Sequence, residues 1–192
     1  MPYTTEHKLR TRDRIVESAR RLFNRHGFEQ VSIDRIMAEA GLTRGGFYNH
    51  FNSKDQLYAA AVESFATCNP FRSRIDPASD PATLARSLID LYLSDDALAD
   101  IDAQCPLYAL PGDVARAGLS PQKAYTKLIR NLARVFEMAM DGQTDAPQRA
   151  QVIVALCVGG MVLARTTDDG VLRTSLRAAS RTQALAVLKN AQ

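Results

Sequence analysis

Tryptophan is absent from this 192-residue chain, and cysteine is scarce. Cys68, Cys105 and Cys157 are odd in number, far apart and in no CxxC pair, so neither a disulfide framework nor a zinc site is indicated. Free cysteine is usually interior, and each is expected to be a small buried apolar residue. No apolar run approaches the roughly 18 residues of a membrane span. The opening MPYTTEHKLRTRDR is polar and basic, without a signal-peptide core, so a cytoplasmic location and no membrane partner are expected. Histidine is limited to His7, His26 and His50, all in the first third, which leaves the rest of the chain without the base of a Ser-His-Asp or Cys-His pair. A P-loop, a dinucleotide fingerprint, a zinc-metalloprotease motif and a nucleophile elbow are missing too. These absences speak against an enzyme, and no cofactor or metal ion is expected.

What is present is a soluble-protein composition, 46% hydrophobic and 23% charged, with the charge unevenly placed. Residues 1–60 hold ten Lys or Arg against seven acids, and the remainder holds fourteen of each, so the whole excess of +3 lies in the first third. A basic module beside a neutral body suits nucleic acid, although a basic solvated face would give the same count.

Nearly every segment has helical period and none alternates as a strand would. Ile15, Ala19, Leu22 and Phe23 share one face of a first helix over about 8–26, which Gly27 stops. Ser32 can cap a second helix that turns Ile33, Ile36, Met37 and Ala40 inward before Gly41 breaks it. Thr43 can cap a third helix carrying Phe47, Tyr48 and Phe51. The connection between these two is about three residues and contains glycine, the form of a helix-turn-helix. SKDQ at 53–56 has the shape of a capping box and opens a long helix from Lys54 to about Phe71. Asp80 before Pro81 and Ser120 before Pro121 mark two further starts. The acidic stretch from Ser94 to Leu119, interrupted by Pro106 and Pro111, should hold short or irregular helices. Two closing helices follow over about 147–167 and 171–190. The first is apolar nearly all round, with Ala155, Gly159 and Gly160 small enough for a close helix neighbour. The expectation is an all-α chain: a helix-turn-helix domain over 1–53, then a helical body over 54–192 that begins with the linking helix.

The chemistry concentrates at 41–51, GLTRGGFYNHF. A recognition helix places polar groups against base edges and phosphates. Thr43, Arg44, Tyr48, Asn49 and His50 supply such groups, while Phe47 and Phe51 can anchor the inner side. Arg44 suits guanine and Asn49 adenine, with phosphate equally open to either. Ser32 and Lys54, at helix starts, are natural phosphate holders. Gly45 and Gly46 would give clearance where backbone meets DNA; a frayed helix start would also account for them.

The run from Thr11 to Leu57 closely resembles the DNA-binding region of the tetracycline-repressor (TetR/AcrR) family of bacterial regulators. The match rests on Ile15, Ala19, Phe23, the HGF after them, AEAGLTRGGFYNHF and SKDQL. The resemblance implies a DNA-facing set of Ser32, Thr43, Arg44, Gly45, Gly46, Tyr48, Asn49, His50 and Lys54, and double-stranded DNA with a palindromic operator as partner. It also implies a repressor working as a homodimer through its last two helices, here through Val152, Ala155, Leu156, Gly159, Gly160, Leu163, Leu176 and Leu185. A small molecule entering the body would release it. CPL-x-AL and VGG-x-VLAR resemble one subgroup more loosely. Met37 departs from the alanine common in the family, which should alter packing between the second and third helices.

For an apolar or aromatic effector the body offers Phe65, Phe71, Tyr92, Tyr108, Tyr125 and Phe136, near Met138 and Met140, although an aromatic at helical spacing is more often core. Cys105, in the irregular acidic segment, is the other candidate and would sense oxidants if exposed; Asp100 and Asp102 nearby would raise its pKa and work against that. A helical module that binds only protein is the rival reading. Salt-dependent binding to a palindrome separates the two.

Overall fold

The computed structural model describes residues 5–67, 74, 76 and 78–189. Helix α1 (Thr5–His26) buries Ile15, Ala19, Leu22 and Phe23 and ends where Gly27 turns left-handed at φ 76°, its N–H bonded to Phe23 O at 2.8 Å. Helix α2 (Ile33–Glu39) is capped by Ser32, whose Oγ accepts from Arg35 N, and Gly41 makes the turn at φ 64°.

The third element differs from expectation. Arg44–Asn49 is a 3₁₀ helix, and Thr43 stands at its N-cap without a side-chain bond. Two adjacent glycines remove the propensity that would favour a wider α-turn, and a segment of six residues gains little from α-helical cooperativity. Phe47 and Phe51 are both buried beneath it, as their spacing requires. Met37 is fully buried, with its methyl 3.6 Å from where a Cβ on Gly46 would stand; the larger residue fills room the glycine leaves.

Helix α3 (Lys54–Ser64) starts as SKDQ predicts: Ser53 Oγ accepts from Gln56 N, while Gln56 Oε1 accepts from Asn52 N, one residue earlier than a capping box would have it. It is shorter than expected. Tight i to i−3 bonds from Phe65, Ala66 and Thr67 close its end, and Cys68, Pro70 and Phe71 lie outside the described residues. Phe23 and Phe28 close on Tyr58 with centroids 4.9 and 4.7 Å away, which ties α1 to α3.

Asp80 caps α4 (Pro81–Tyr92), accepting from Ala82 N and Thr83 N. The acidic stretch then forms, as expected, only short pieces: α5 (Asp95–Ala99), a 3₁₀ turn (Ile101–Ala103), α6 (Pro106–Ala109) and α7 (Pro111–Arg116). Helix α8 (Leu119–Met138) begins one residue ahead of the proposed Ser120 cap, with Gly118 at the N-cap, so Pro121 is the third helical residue; proline is tolerated there because first-turn N–H groups have no intrahelical partner.

Helices α9 (Ala146–Thr166) and α10 (Gly170–Lys189) form an antiparallel pair across a three-residue turn, and α9 also packs on α8. By length and hydropathy α9 is apolar enough to cross a membrane, contrary to the expectation of no such run. Its inner face, with Ile153, Cys157, Met161 and Ala164, packs into the body. A single contiguous core runs through all these helices, so the first 53 residues and the body share one apolar interior.

Candidate nucleic-acid interface and body cavity

Helix α2 and the 3₁₀ helix bury Ile36, Met37, Ala40, Phe47 and Phe51, and whatever those side chains cannot reach faces outward. Ser32, Thr43, Arg44, Gly45, Tyr48 and Asn49 are exposed; Gly46, His50 and Lys54 are half-buried. Tyr48 keeps 60% of its surface open while its ring meets Phe47 edge-on at 5.2 Å. A Cβ on Gly45 would meet nothing within 4 Å, and neither glycine has a positive φ. Internal packing and backbone strain therefore require neither glycine.

The charged members of the set are held, not loose. Arg44 Nη1 pairs with Asp34 Oδ2 at 2.7 Å, both groups in solvent, so a phosphate could exchange with the carboxylate at little cost. Arg35, beside Ser32, bonds His26 Nε2 at 2.7 Å. Lys54 departs further from expectation. Its ammonium bonds the Phe28 carbonyl and lies 4.1 Å over the Phe28 ring, and burial lowers its pKa. Lysine at this position fastens the α1–α2 turn to α3, and reaching a phosphate would mean leaving that contact.

Nδ1 of His50 is buried without a hydrogen-bond partner among the described residues, and burial, then Lys8 and Arg12, holds its pKa below 6.5. The residues around it were not singled out by the motif. His7, Lys8, Thr11 and Arg14 from the first turns of α1 border a cleft of about 520 Å³ with Leu42, Thr43, Gly46, Asn49 and His50. Arg12 stacks over Phe51 at 4.8 Å. The signal for this extension was in the sequence: alternate basic residues from Lys8 to Arg14, with His7, Thr11 and Arg14 at one-face helical spacing.

In the body, a cavity of about 370 Å³ is lined by Phe65, Tyr92 and Cys105 with Leu88, Leu107 and Leu132, and Asn131, Arg134 and Met138 supply its rim and polar groups. Three of the proposed effector residues therefore meet. The others do not. Tyr108 and Phe136 are 1% exposed and belong to the core, where Tyr108 donates to Ala97 O; Met140 is also core. Tyr125 borders a separate apolar groove of about 230 Å³ between α8 and α9 and donates to Leu107 O. Phe71 lies outside the described residues. Cys105 is sealed at 2% exposure, and its thiol is pushed up to about 12 by burial, not by Asp100 and Asp102. A thiol of that pKa is a poor oxidant sensor. Cys157 is equally buried, as expected.

The outer face of the closing helices is also only partly as expected. Val152, Ala155, Leu156, Gly159 and Leu163 run along one side of α9, and Leu172, Leu176 and Ala179 along one side of α10, with no charged residue among them. Gly160 instead faces α10 of its own chain: a Cβ there would stand 2.4 Å from Ser180 Oγ. Leu185 lies nine residues, about two and a half turns, from Leu176, hence on the opposite flank, where it packs on the core.

Comparison with known proteins agrees with this anatomy. Residues 15–61 match the model of the tetR family of bacterial regulatory proteins. Over 182 residues the chain is 23% identical to the uncharacterized HTH-type transcriptional regulator YfiR of Bacillus subtilis (strain 168), covering 90% of this chain and 83% of YfiR. The transposon Tn10 TetC protein of Escherichia coli is 48% identical over 49 residues, 26% of this chain and only 25% of TetC. The crystal structure of reduced E. coli NemR shares the fold at a TM-score of 0.75 and 19% identity, over 94% of this chain and 96% of NemR. From its basic helix-turn-helix head to its paired closing helices, the chain belongs to the TetR/AcrR family of bacterial transcriptional regulators.

Proposed function

We propose that the chain is a cytoplasmic repressor that binds a palindromic operator as a homodimer and leaves it when a small apolar or aromatic molecule enters the body cavity. The observation that carries this reading is the open face of the 3₁₀ helix, where Thr43, Arg44, Gly45, Tyr48 and Asn49 are exposed above a fully buried Phe47. In a major groove, Arg44 and Asn49 have the donors and acceptors for guanine and adenine, Tyr48 an aromatic edge and hydroxyl, and the two glycines allow backbone approach. Lys8 and Arg14 on α1 extend the basic surface toward the phosphates.

The charge-free stripe on α9 and α10 supports self-association, since two such antiparallel pairs would bury it in a four-helix bundle. Ligand response is supported by the cavity of about 370 Å³, whose apolar walls carry a few polar groups from Tyr92, Asn131 and Arg134. The relatives are named as transcriptional regulators, which accords with a binding protein and not an enzyme.

Duplexes selected by the protein from a random pool should contain an inverted repeat with half-sites about one helical turn apart. Affinity should fall steeply between about 50 and 200 mM salt, by roughly 10³–10⁵ if six to ten phosphates are engaged. Sedimentation should give a dimer at micromolar concentration. A stable monomer, or recovery of no enriched duplex, would sink the proposal.

A further inference from the structure

The irregular stretch between α5 and α8 makes contacts in three directions. Toward the DNA-binding head, its backbone carbonyls are the attachment points. Arg20 Nη1 donates to Asp102 O, and Asn24 Nδ2 donates to Gln104 O at 3.0 Å and to Asp102 O at 3.3 Å. Asn24 is 3% exposed; Arg20 is buried too and is itself held by Glu17 at 2.7 Å. Around this buried pair, Arg25 Nη2 meets Asp102 Oδ2 at 2.6 Å, and Phe28 N donates to Asp113 Oδ2 at 3.1 Å. Asp113 comes so close that a Cβ on Gly27 would stand 3.0 Å from its Oδ2.

Toward α9 and α8, Arg165 Nη1 donates to Ala109 O at 2.8 Å and Tyr125 donates to Leu107 O. Between these fastenings the side chains of Cys105 and Leu107 form part of the wall of the body cavity. The carbonyl of Gln104 that receives Asn24 belongs to the peptide bond joining Gln104 to Cys105, so the wall of the cavity and the anchor on α1 are one rigid unit apart.

We propose that residues 102–109 form a strap that transmits occupancy of the body cavity to the DNA-binding head, with Asn24 the positioning residue that fastens it to α1. This rests on the reading of the cavity as the effector site. An occupant that displaces Cys105 must carry the carbonyls of Gln104 and Asp102 with it. Arg20 and Asn24 are buried, and leaving them unpaired there costs more than moving with their partners. Helix α1 therefore shifts, and its first turns border the DNA-facing cleft.

The test needs neither operator nor effector. Amide hydrogen exchange is measured residue by residue on the full chain and on two variants. Asn24→Asp keeps the shape and replaces a donor by an acceptor facing two carbonyls. It should speed exchange about tenfold both at the end of α1 and at the Tyr108, Ala109 and Leu110 amides, while leaving α10 unchanged. Cys105→Phe, which fills the cavity, should act in the reverse direction and speed exchange at the Gly27 and Phe28 amides. If Asn24→Asp affects α1 alone, or if Cys105→Phe leaves Gly27 and Phe28 as they were, Asn24 is local glue and the strap is refuted. Asn24→Ala and Cys105→Met serve in the same comparison should either first variant lack a cooperative melt. Failure to select any duplex would remove the DNA reading, while the exchange rates would still decide for or against the strap.

Discussion

The 3₁₀ helix at 44–49 and the strap at 102–109 are both short and irregular, and they handle their polar groups in opposite ways. In the 3₁₀ helix, hydroxyl, amide and guanidinium groups stand in solvent and the two glycines have open space beyond them. Along the strap, carbonyls are taken up by buried Asn24 and Arg20 and by Arg165, and the one thiol is sealed. Irregular backbone survives in the interior only when its groups find partners within the chain. Where the groups stay hydrated, nothing in the fold has to satisfy them, and they remain available to another molecule. The first segment is thus arranged for something outside the chain and the second for the chain itself.

That contrast can be broken most forcefully from beneath the open face. Phe47→Ala removes a fully buried ring and should cost about 3–5 kcal/mol in urea unfolding; a cost under about 1 kcal/mol would mean that the 3₁₀ helix is not anchored by its core. One residue on, Tyr48→Ala should leave the unfolding midpoint unchanged and weaken binding to the selected duplex by about 10- to 100-fold. Gly46→Val belongs with it: its Cβ meets only an ordinary contact with Met37, so folding should persist while titration of the duplex shows binding damaged.

The same logic divides the glycines of α9. Gly160→Ala drives a methyl into Ser180 and should destabilise by about 1–3 kcal/mol. Gly159→Ala meets nothing within the chain and should be neutral or gain up to about 1 kcal/mol of helix propensity. Equal melting shifts for the two would contradict the close approach of α9 and α10. The smallest effect is at His50. Its folded pKa is depressed by burial and by Lys8 and Arg12, so as pH falls below about 6.5 the unfolded chain takes up the proton first. Its contribution to stability is complete above that pH and declines as pH drops through the folded value. An NMR titration giving a His50 pKa above 6.5 would reverse the sign.

The amino-acid sequence by itself determined what depends on neighbours a few residues apart. Caps at Ser32, Ser53 and Asp80, stops at Gly27 and Gly41, the inward faces of α1 and α2, and the spacing of Thr43, Arg44, Tyr48 and Asn49 all follow from one or two turns of chain. Local propensity and helical period act at that range, and the helix-turn-helix was legible for that reason. Tertiary structure decided whatever joins distant residues. Asn24 meets Gln104 eighty positions away, Lys54 turns back to Phe28, Gly160 serves α10 while Gly159 looks outward, and of the body aromatics in the described residues only Phe65 and Tyr92 reach the larger cavity. Each of those choices is made by which surfaces are left to pack once the helices have formed. Helical period gives the face a residue occupies, and only the packed interior gives what lies opposite.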